Sequence, residues 1–147
     1  GPHMFFRPAP RMFRVTQEID FCYGHRLLNY SGKCRHLHGH NGVAVIVLEA
    51  PQLDQRGMLV DFTDIKGVLR TWIDQELDHR MILHEADPVL PTLREMGEPV
   101  YVIRENPTAE NIARLIYERA REHGFPVLEV TLWETAKAPA TYRGERS

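Results

Sequence analysis

The sequence has 147 residues and a mass of 17.0 kDa, which is enough for one compact domain with a sizeable core. The formal net charge of −2 and the isoelectric point near 6.5 lack the concentrated basic surface that nucleic-acid binding requires, so we expect no nucleic-acid partner. The apolar runs are far shorter than the ~20 residues needed to cross a bilayer, and no signal peptide is recognisable. We therefore expect a cytoplasmic protein that does not associate with membranes.

The first residues have the character of an expression tag. Gly1, Pro2, His3 and Met4 look like a protease-cleavage scar followed by a start methionine, and the residues after them are rich in Arg and Pro. The sequence predicts that residues 1–11 are an expression scar and a flexible N-terminus, and that residues 12–147 form a single domain.

Two strands are predicted in the N-terminal part of the chain. Met12 to Phe21 alternates apolar and polar residues, as a half-buried strand does, and His38 to Glu49 runs into a second strand. Between them, Tyr23 to Arg35 is rich in Gly, Asn, Ser and charged residues, which is typical of a loop. The histidines of this region therefore lie where a loop becomes a strand.

Two helices follow, each with apolar residues at helical spacing. The first spans Phe62 to Leu77, with Thr63 as a candidate N-cap. The second begins after Thr108, whose hydroxyl is suited to capping, and ends at Gly124.

A long Pro-containing stretch, Asp78 to Pro107, separates the two helices and contains one short extended segment at Val100 to Ile103. Loops of this length in compact domains are usually functional, so we expect site residues at its beginning. Further strands are predicted at Val127 to Thr135 and at Thr141 to Arg143. Strands at both ends of the sequence around two helices predict an α+β domain with an antiparallel sheet.

A group of histidines indicates a metal site. His36, His38 and His40 occupy alternate positions, so in an extended backbone their imidazoles project from one face. His25 adds another nitrogen donor, and three protein ligands with one open position are typical of catalytic zinc. Two other interpretations stay open here. The histidines could be polar residues at a strand edge, or Cys34 could be a fourth ligand that closes a structural site.

Other residues are candidates for acid–base chemistry or ligand binding. Asp78 and His79 follow the first helix directly, where the carboxylate could orient the imidazole, although a histidine near the last helical carbonyls gives the same pattern. Glu134 ends an apolar strand, where a carboxylate is either solvated or paired with a donor-rich ligand. Thr108 and Glu110 most simply form the start of a helix.

Taken in order along the chain, these residues resemble the motifs of the 6-pyruvoyl/6-carboxytetrahydropterin synthase family. The resemblance extends from Phe13 to Glu145. The segments that carry it are Gly24-His25-Arg26, Lys33-Cys34, His38-Gly39-His40, Gly57 to Phe62, Leu77-Asp78-His79, Glu105 to Asn111, Trp133-Glu134-Thr135 and Tyr142 to Glu145. One departure is Tyr23-Gly24-His25, where the family often has Ala-Ala-His.

The resemblance implies roles for individual residues. The implied ligands of Zn²⁺ are His25, His38 and His40, and His36 is not among them. The implied catalytic residues are Cys34, Asp78 and His79. The implied substrate-binding residues are Glu134, Thr108 and Glu110.

The resemblance also implies a fold and an assembly. The tunnelling fold of the family is a four-stranded antiparallel sheet with two helices on one face, and oligomerisation closes the sheets into a barrel. Members are typically homohexamers, built as dimers of trimers, with active sites between subunits.

The implied activity is that of a zinc-dependent lyase acting on a small pterin. The short spacing between Cys34 and His38 looks like the 6-carboxy branch. That branch converts 7,8-dihydroneopterin triphosphate to 6-carboxy-5,6,7,8-tetrahydropterin with loss of acetaldehyde and triphosphate, a step toward queuosine and related deazapurines. The alternatives are the 6-pyruvoyl branch, which eliminates triphosphate and retains the side chain, and a non-catalytic zinc-stabilised pterin-binding module.

Overall fold

One sheet organises the part of the chain that the computed structural model describes, residues 11–145. Within this range the sheet contains six strands, β1 (Phe13–His25), β2 (His38–Ala50), β3 (Arg80–His84), β4 (Val100–Ile103), β5 (Val127–Thr135) and β6 (Ala138–Arg143). The predicted N-terminal segment 1–11 falls almost entirely outside the described residues. That boundary and the single domain from 12 to 147 therefore stay predictions.

The centre of the sheet is the antiparallel pair of β1 and β2. The two strands have 13 residues each and pair along their whole length. At the loop end of this pair, His25 lies opposite His38 and Tyr23 lies opposite His40. Continuous pairing over this length fixes which face each of these side chains occupies.

The predicted four-stranded antiparallel sheet is wrong in strand number and direction, although the α+β class is confirmed. The strand order is β4-β3-β1-β2-β5-β6, and β3 pairs in parallel with both β1 and β4. The remaining neighbours are antiparallel. The sequence missed β3 because its three consecutive apolar residues, Met81 to Leu83, have no alternating pattern and are bounded by polar residues.

The first predicted helix is present as three consecutive helical segments. These are α1 (Phe62–Ile65), a π-helical turn (Lys66–Arg70) and α2 (Thr71–Glu76). The predicted cap at Thr63 is wrong. The N-cap is Asp61, whose carboxylate accepts a hydrogen bond from the backbone N–H of Thr63 at 2.9 Å.

The second predicted helix is α4 (Ala109–Glu122), and Thr108 caps it as expected by accepting a hydrogen bond from the N–H of Asn111. A short helix that was not predicted, α3 (Leu90–Glu95), lies between β3 and β4. Among residues 11–145, no helix is both long and apolar enough to cross a membrane.

The main core lies between one face of the sheet and the long helices. Its largest fully buried side chains are Ile19, Tyr23, Ile46, Leu48, Ile65, Leu69, Ile73, Leu77, Ile82, Ile112 and Ile116. A smaller cluster of Leu83, Leu90 and Leu93 packs α3 against β3. Because Ile82 joins the main core and Leu83 joins the smaller one, β3 is covered on both faces.

Replacing Ile46 tests how far the central strand pair depends on this core. Ile46→Ala should lower the free energy of unfolding by about 2–5 kcal/mol, because the side chain is fully buried and leaves a cavity. Thr16→Ala, on an exposed position of β1, is the matched control and should change it by less than about 0.5 kcal/mol. Urea denaturation of the two variants would show equal losses if Ile46 were not part of the core.

Candidate metal centre and active site

The loop end of the β1–β2 pair gathers three imidazoles. His25 at the end of β1, and His38 and His40 at the start of β2, have ring nitrogens that all lie within 4.8 Å of one another. His25 is only 3% exposed, and the other two are half-buried. The structure therefore brings together the three residues that the sequence predicted as metal ligands.

Backbone carbonyls determine which ring nitrogen faces the cluster. Nδ1 of His25 lies 2.6 Å from the carbonyl oxygen of Pro107, and Nδ1 of His38 lies 2.7 Å from that of His36. A carbonyl oxygen can only accept, so each Nδ1 carries the hydrogen and each Nε2 presents its lone pair to the cluster. This outer-shell arrangement is usual for histidines that bind a metal.

The spacing of the cluster fits a zinc ion. Zn–N bonds of 2.0–2.1 Å place neighbouring nitrogens of a tetrahedral site about 3.3 Å apart. The Nε2 atoms of His25 and His40 are 3.1 Å apart. Burial lowers the pKa of His25 from its ordinary value, outweighing the Pro107 carbonyl and the Glu134 carboxylate, so the imidazole stays in the neutral form that a metal requires.

Two other sequence candidates lie outside this cluster. Cys34 does not belong to the group of mutually close donor atoms in residues 11–145, which favours three ligands with an open position over a closed site. The side chain of His36 is exposed, and only its backbone carbonyl takes part, as the hydrogen-bond partner of His38 Nδ1. The alternating histidines in the sequence therefore suggested one more imidazole at the site than the structure places there.

Glu134 brings a carboxylate to the imidazoles. Its Oε1 lies 3.6 Å from Nε2 of His25, and its Oε2 lies 3.9 Å from Nε2 of His40. The hydroxyl of Tyr23 donates a hydrogen bond to Oε1 at 2.8 Å. Burial and the neighbouring carboxylate raise the pKa of Tyr23 far above its ordinary value, so the phenol remains a donor.

Asp78 and His79 form a hydrogen-bonded pair beside β1. Asp78 accepts from Nδ1 of His79 at 2.8 Å and from the backbone N–H of Cys22 at 2.8 Å. Burial by itself raises the pKa of Asp78, but these hydrogen bonds outweigh it and hold the pKa below its usual value. His79 has a φ of 59° and a largely exposed side chain, so its Nε2 is available to a ligand.

A pocket of about 530 Å³ opens beside this pair, between β1, β3 and α3. Its lining includes His38 and His79 together with apolar groups such as Met81, Leu93 and Met96. The volume is in the range of small-molecule sites. His38 of the metal cluster and His79 of the pair therefore line one cavity, whereas His25 and His40 do not line it.

Cys34 lies in a short 3₁₀ turn, Lys33–Arg35, within the loop that joins β1 to β2. It lines neither the pocket beside His79 nor the imidazole cluster. Its carbonyl accepts a hydrogen bond from the N–H of Leu27 at 2.8 Å, which closes the loop on itself. In the described part of one chain, Cys34 is thus not assembled with the other predicted catalytic residues.

Two remote residues anchor this loop. Asp87, whose side chain is fully buried, forms a bidentate ion pair with Arg26, in which Nε donates at 2.8 Å. The side chain of Asn106 accepts from the N–H of Leu28 and donates to its carbonyl, both at 2.9 Å. The loop therefore takes its shape from segments that come much later in the sequence.

Thr108 and Glu110 form the start of a helix, which is the simplest role that the sequence indicated for them. The Thr108 hydroxyl caps α4, and Glu110 lies exposed in the first turn of that helix. Neither residue belongs to the imidazole cluster or lines the pocket beside His79. Pro107, immediately before them, holds His25.

Sequence reasoning missed four residues that shape the site: Tyr23, Asp87, Asn106 and Pro107. A backbone carbonyl such as that of Pro107 leaves no signal in the sequence. Asp87 was visible only as a polar residue of a long loop, and Asn106 only as a member of the family segment Glu105 to Asn111. Neither role could be assigned, because their partners lie far away along the chain.

Removing one imidazole tests the metal centre. We expect His38→Ala to weaken Zn²⁺ binding more than about 100-fold, because loss of a ligand exceeds the 10–100-fold cost of losing an outer partner. His36→Ala is the matched control, since it keeps the backbone carbonyl that holds His38. Competition with a chelator measures both affinities, and equal affinities for the two variants would contradict the assignment.

Removing the loop anchor tests the ion pair at Asp87. Asp87→Asn should cost about 3 kcal/mol at pH 7, because it leaves the Arg26 charge without its partner. Burial by itself raises the pKa of Asp87, but the hydrogen bonds from Arg26 and from the backbone of Val89, together with the Arg26 charge, outweigh it and hold the pKa below its usual value. The stabilisation is therefore present above the unfolded pKa of about 3.9 and is lost as the pH falls through the lower folded pKa.

The control for this measurement is Glu105→Gln, which breaks an exposed ion pair with Arg114 and should cost less than about 1 kcal/mol. Unfolding is followed by urea titration from pH 7 to pH 3. A difference between wild type and Asp87→Asn that does not shrink below pH 4 would show that the carboxylate charge is not the cause.

Comparisons with known proteins agree with this geometry. The sequence profile of 6-pyruvoyl tetrahydropterin synthase matches residues 14–145. A Rickettsia bellii protein named 6-carboxy-5,6,7,8-tetrahydropterin synthase is 42% identical over 131 residues, which cover 84% of this chain and 95% of that protein. An Aquifex aeolicus protein of the same name is 33% identical over 126 residues, covering 77% of each.

Solved structures show the same fold. An uncharacterised protein from Wolinella succinogenes superposes with a TM-score of 0.77 at 31% identity, covering 92% of this chain and 99% of that one. The 6-pyruvoyl tetrahydropterin synthase of Caenorhabditis elegans superposes with a TM-score of 0.69 at 25% identity, covering 92% and 97%. Since the family profile spans most of the sequence and these folds match, the chain belongs to the 6-pyruvoyl tetrahydropterin synthase family.

Proposed function

We propose that this protein is a zinc-dependent lyase that converts 7,8-dihydroneopterin triphosphate to 6-carboxy-5,6,7,8-tetrahydropterin, with loss of acetaldehyde and triphosphate. The observation that carries the proposal is the cluster of three imidazoles, of which His38 lines the same pocket as His79. Relatives of the 6-carboxy type, which cover most of the chain, support this branch over others of the family.

In this proposal His25, His38 and His40 hold Zn²⁺ through their Nε2 atoms, as the hydrogen bonds at Nδ1 of two of them favour. Bound zinc would polarise the side-chain hydroxyls of the substrate and make adjacent carbon-bound protons easier to remove. The ion would be a resident cofactor, since the buried cluster is set by the fold of the chain itself.

Proton transfer is assigned to Cys34 and His79. Cys34, as a thiolate, would be the general base that takes a proton from the substrate side chain. His79 would hold or donate a proton at Nε2, because Nδ1 is engaged by Asp78 at 2.8 Å. Asp78 in turn is fixed by the backbone of Cys22, so it orients the ring without touching substrate.

Recognition of the pterin ring is assigned to Glu134, with Thr108 and Glu110 helping to seat it. A carboxylate only accepts, and it is matched to the adjacent amino and N–H donors of a pterin. Tyr23 engages one oxygen of Glu134, which leaves the other oxygen for substrate. The Thr108 hydroxyl accepts from Asn111 and keeps its own hydrogen available for donation.

The assembly belongs to the same proposal: a cytoplasmic homohexamer, built from two trimers, with active sites between subunits. The position of Cys34 outside the pocket of its own chain supports a shared site. The sheet face away from the main core supports an interface, because it carries the half-buried side chains of Val43, Val45 and Trp133.

The test is to incubate zinc-loaded protein with 7,8-dihydroneopterin triphosphate and identify the products by mass spectrometry. We expect acetaldehyde and the 6-carboxy product. Cys34→Ala should lower turnover at least about 100-fold while keeping bound zinc, because general-base catalysis contributes about 10²–10⁴-fold and the thiol is outside the imidazole cluster.

The other outcomes separate the alternatives. A product that retains its three-carbon side chain would place the enzyme in the 6-pyruvoyl branch. Loss of zinc from Cys34→Ala would show a structural site. Zinc binding without turnover would leave a pterin-binding module.

A further inference from the structure

A buried tyrosine reaches the metal cluster from the core. Tyr23 is 1% exposed, and its ring stacks on Phe21 with centroids 5.1 Å apart. The ring also contacts two of the imidazoles, with centroids 5.3 Å from His25 and 5.6 Å from His40. Its hydroxyl is thereby held at the edge of the cluster, where it donates to Oε1 of Glu134 at 2.8 Å.

The neighbouring strand leaves room for this ring. A Cβ added at Gly42 would lie 2.9 Å from Cε1 of Tyr23, closer than real Cβ contacts allow. Gly42 is buried in β2, where a larger side chain would push the ring away from Glu134. The glycine and the tyrosine therefore form a matched pair, with the phenol in one defined position.

The other partner, Glu134, reaches the cluster from β5. It alternates with the buried Val130 and Leu132, so its side chain lies on the core face of the sheet, as do the imidazoles. The pairing of β5 with β6 also shifts register at this point, which leaves Glu134 as the extra residue of a bulge. The Glu134 carboxylate is only 20% exposed and lies 3.6 Å and 3.9 Å from the Nε2 atoms of His25 and His40.

These contacts place a negative charge where a cation would bind. One of the two Nε2 atoms next to Glu134, that of His25, presents its lone pair to a metal, and the Nε2 of His40 lies 3.1 Å from it. The carboxylate beside them adds an attraction for a cation that imidazoles lack. A carboxylate side chain with free rotation would spend part of its time away from the cluster. The hydrogen bond from Tyr23 removes that freedom.

We propose that Tyr23 is a positioning residue, whose phenol holds the Glu134 carboxylate against His25 and His40 and so raises the affinity of the site for a divalent cation. This inference rests on the metal centre of the proposed function and is independent of the reaction. The proposed role depends on the hydroxyl of Tyr23 and not on the packing of its ring. Phenylalanine at this position would keep the packing and lose the hydrogen bond to Glu134.

The test is a double-mutant cycle on metal-free protein, with Zn²⁺ and Co²⁺ affinities measured by competition with a chelator. We expect Tyr23→Phe to weaken binding about 10-fold, within the range for outer-shell partners of a metal. Glu134→Gln should weaken it at least as much. The double variant should bind within about 2-fold of Glu134→Gln, because the phenol acts only through the carboxylate.

The matched control is Tyr117→Phe, at a second buried tyrosine that packs against Tyr142 in the main core. It should leave both affinities unchanged. The visible spectrum of bound Co²⁺ gives a second readout: Tyr23→Phe should alter it and Tyr117→Phe should not.

The outcomes are distinct. Wild-type affinity in Tyr23→Phe, or effects of the two single variants that multiply in the double variant, would overturn the inference. Failure of the wild type to bind either ion would refute the metal centre together with the inference. A cycle that behaves as expected in a protein that yields no pterin product would support the inference and refute the lyase.

Discussion

The register of the β1–β2 pair is the constraint on which the candidate site depends. Side chains alternate across a strand, so a slip of one residue would carry His38 and His40 to the opposite face from His25. The register is held by core residues on the same face, such as Ile19 and Ile46, which are fully buried. The hydrophobic core and the metal cluster therefore occupy one continuous face of the sheet. Burial of the core side chains stabilises the strand register, and this register positions the three histidines.

Groups that lie outside this strand pair orient the imidazoles and add charge beside them. The carbonyl of Pro107 sets the tautomer of His25, and Glu134 adds charge from β5. The loop carrying Cys34 is fastened by Asp87 and Asn106. Each of these groups lies just before or after a helix or strand, or at a bulge, where the backbone departs from regular pairing. The strands and helices form the scaffold, and the polar groups near their ends complete the candidate site.

The sequence predicted most of the elements and missed two within the long stretch before the last helix. Val100–Ile103 and Val127–Thr135 match their predicted bounds, and Thr108 caps its helix as expected. The strand Arg80–His84 and the helix Leu90–Glu95 were missed, because their apolar residues show neither strand alternation nor a full helical repeat. Missing this strand also made the sheet wrong, since parallel pairing follows from a crossover that only the complete set of elements reveals.

The sequence by itself determined the chemistry available to this protein. Alternating imidazoles and a carboxylate at a strand end are properties of residue type and local spacing, which need no tertiary contact to be recognised. Only the tertiary structure decided which of them meet. It brings His25 to His38 and His40, as the family resemblance implied, and it pairs Tyr23 with Glu134 and leaves Cys34 apart from the pocket, which the sequence did not indicate. These outcomes depend on strand order and on contacts between residues far apart along the chain.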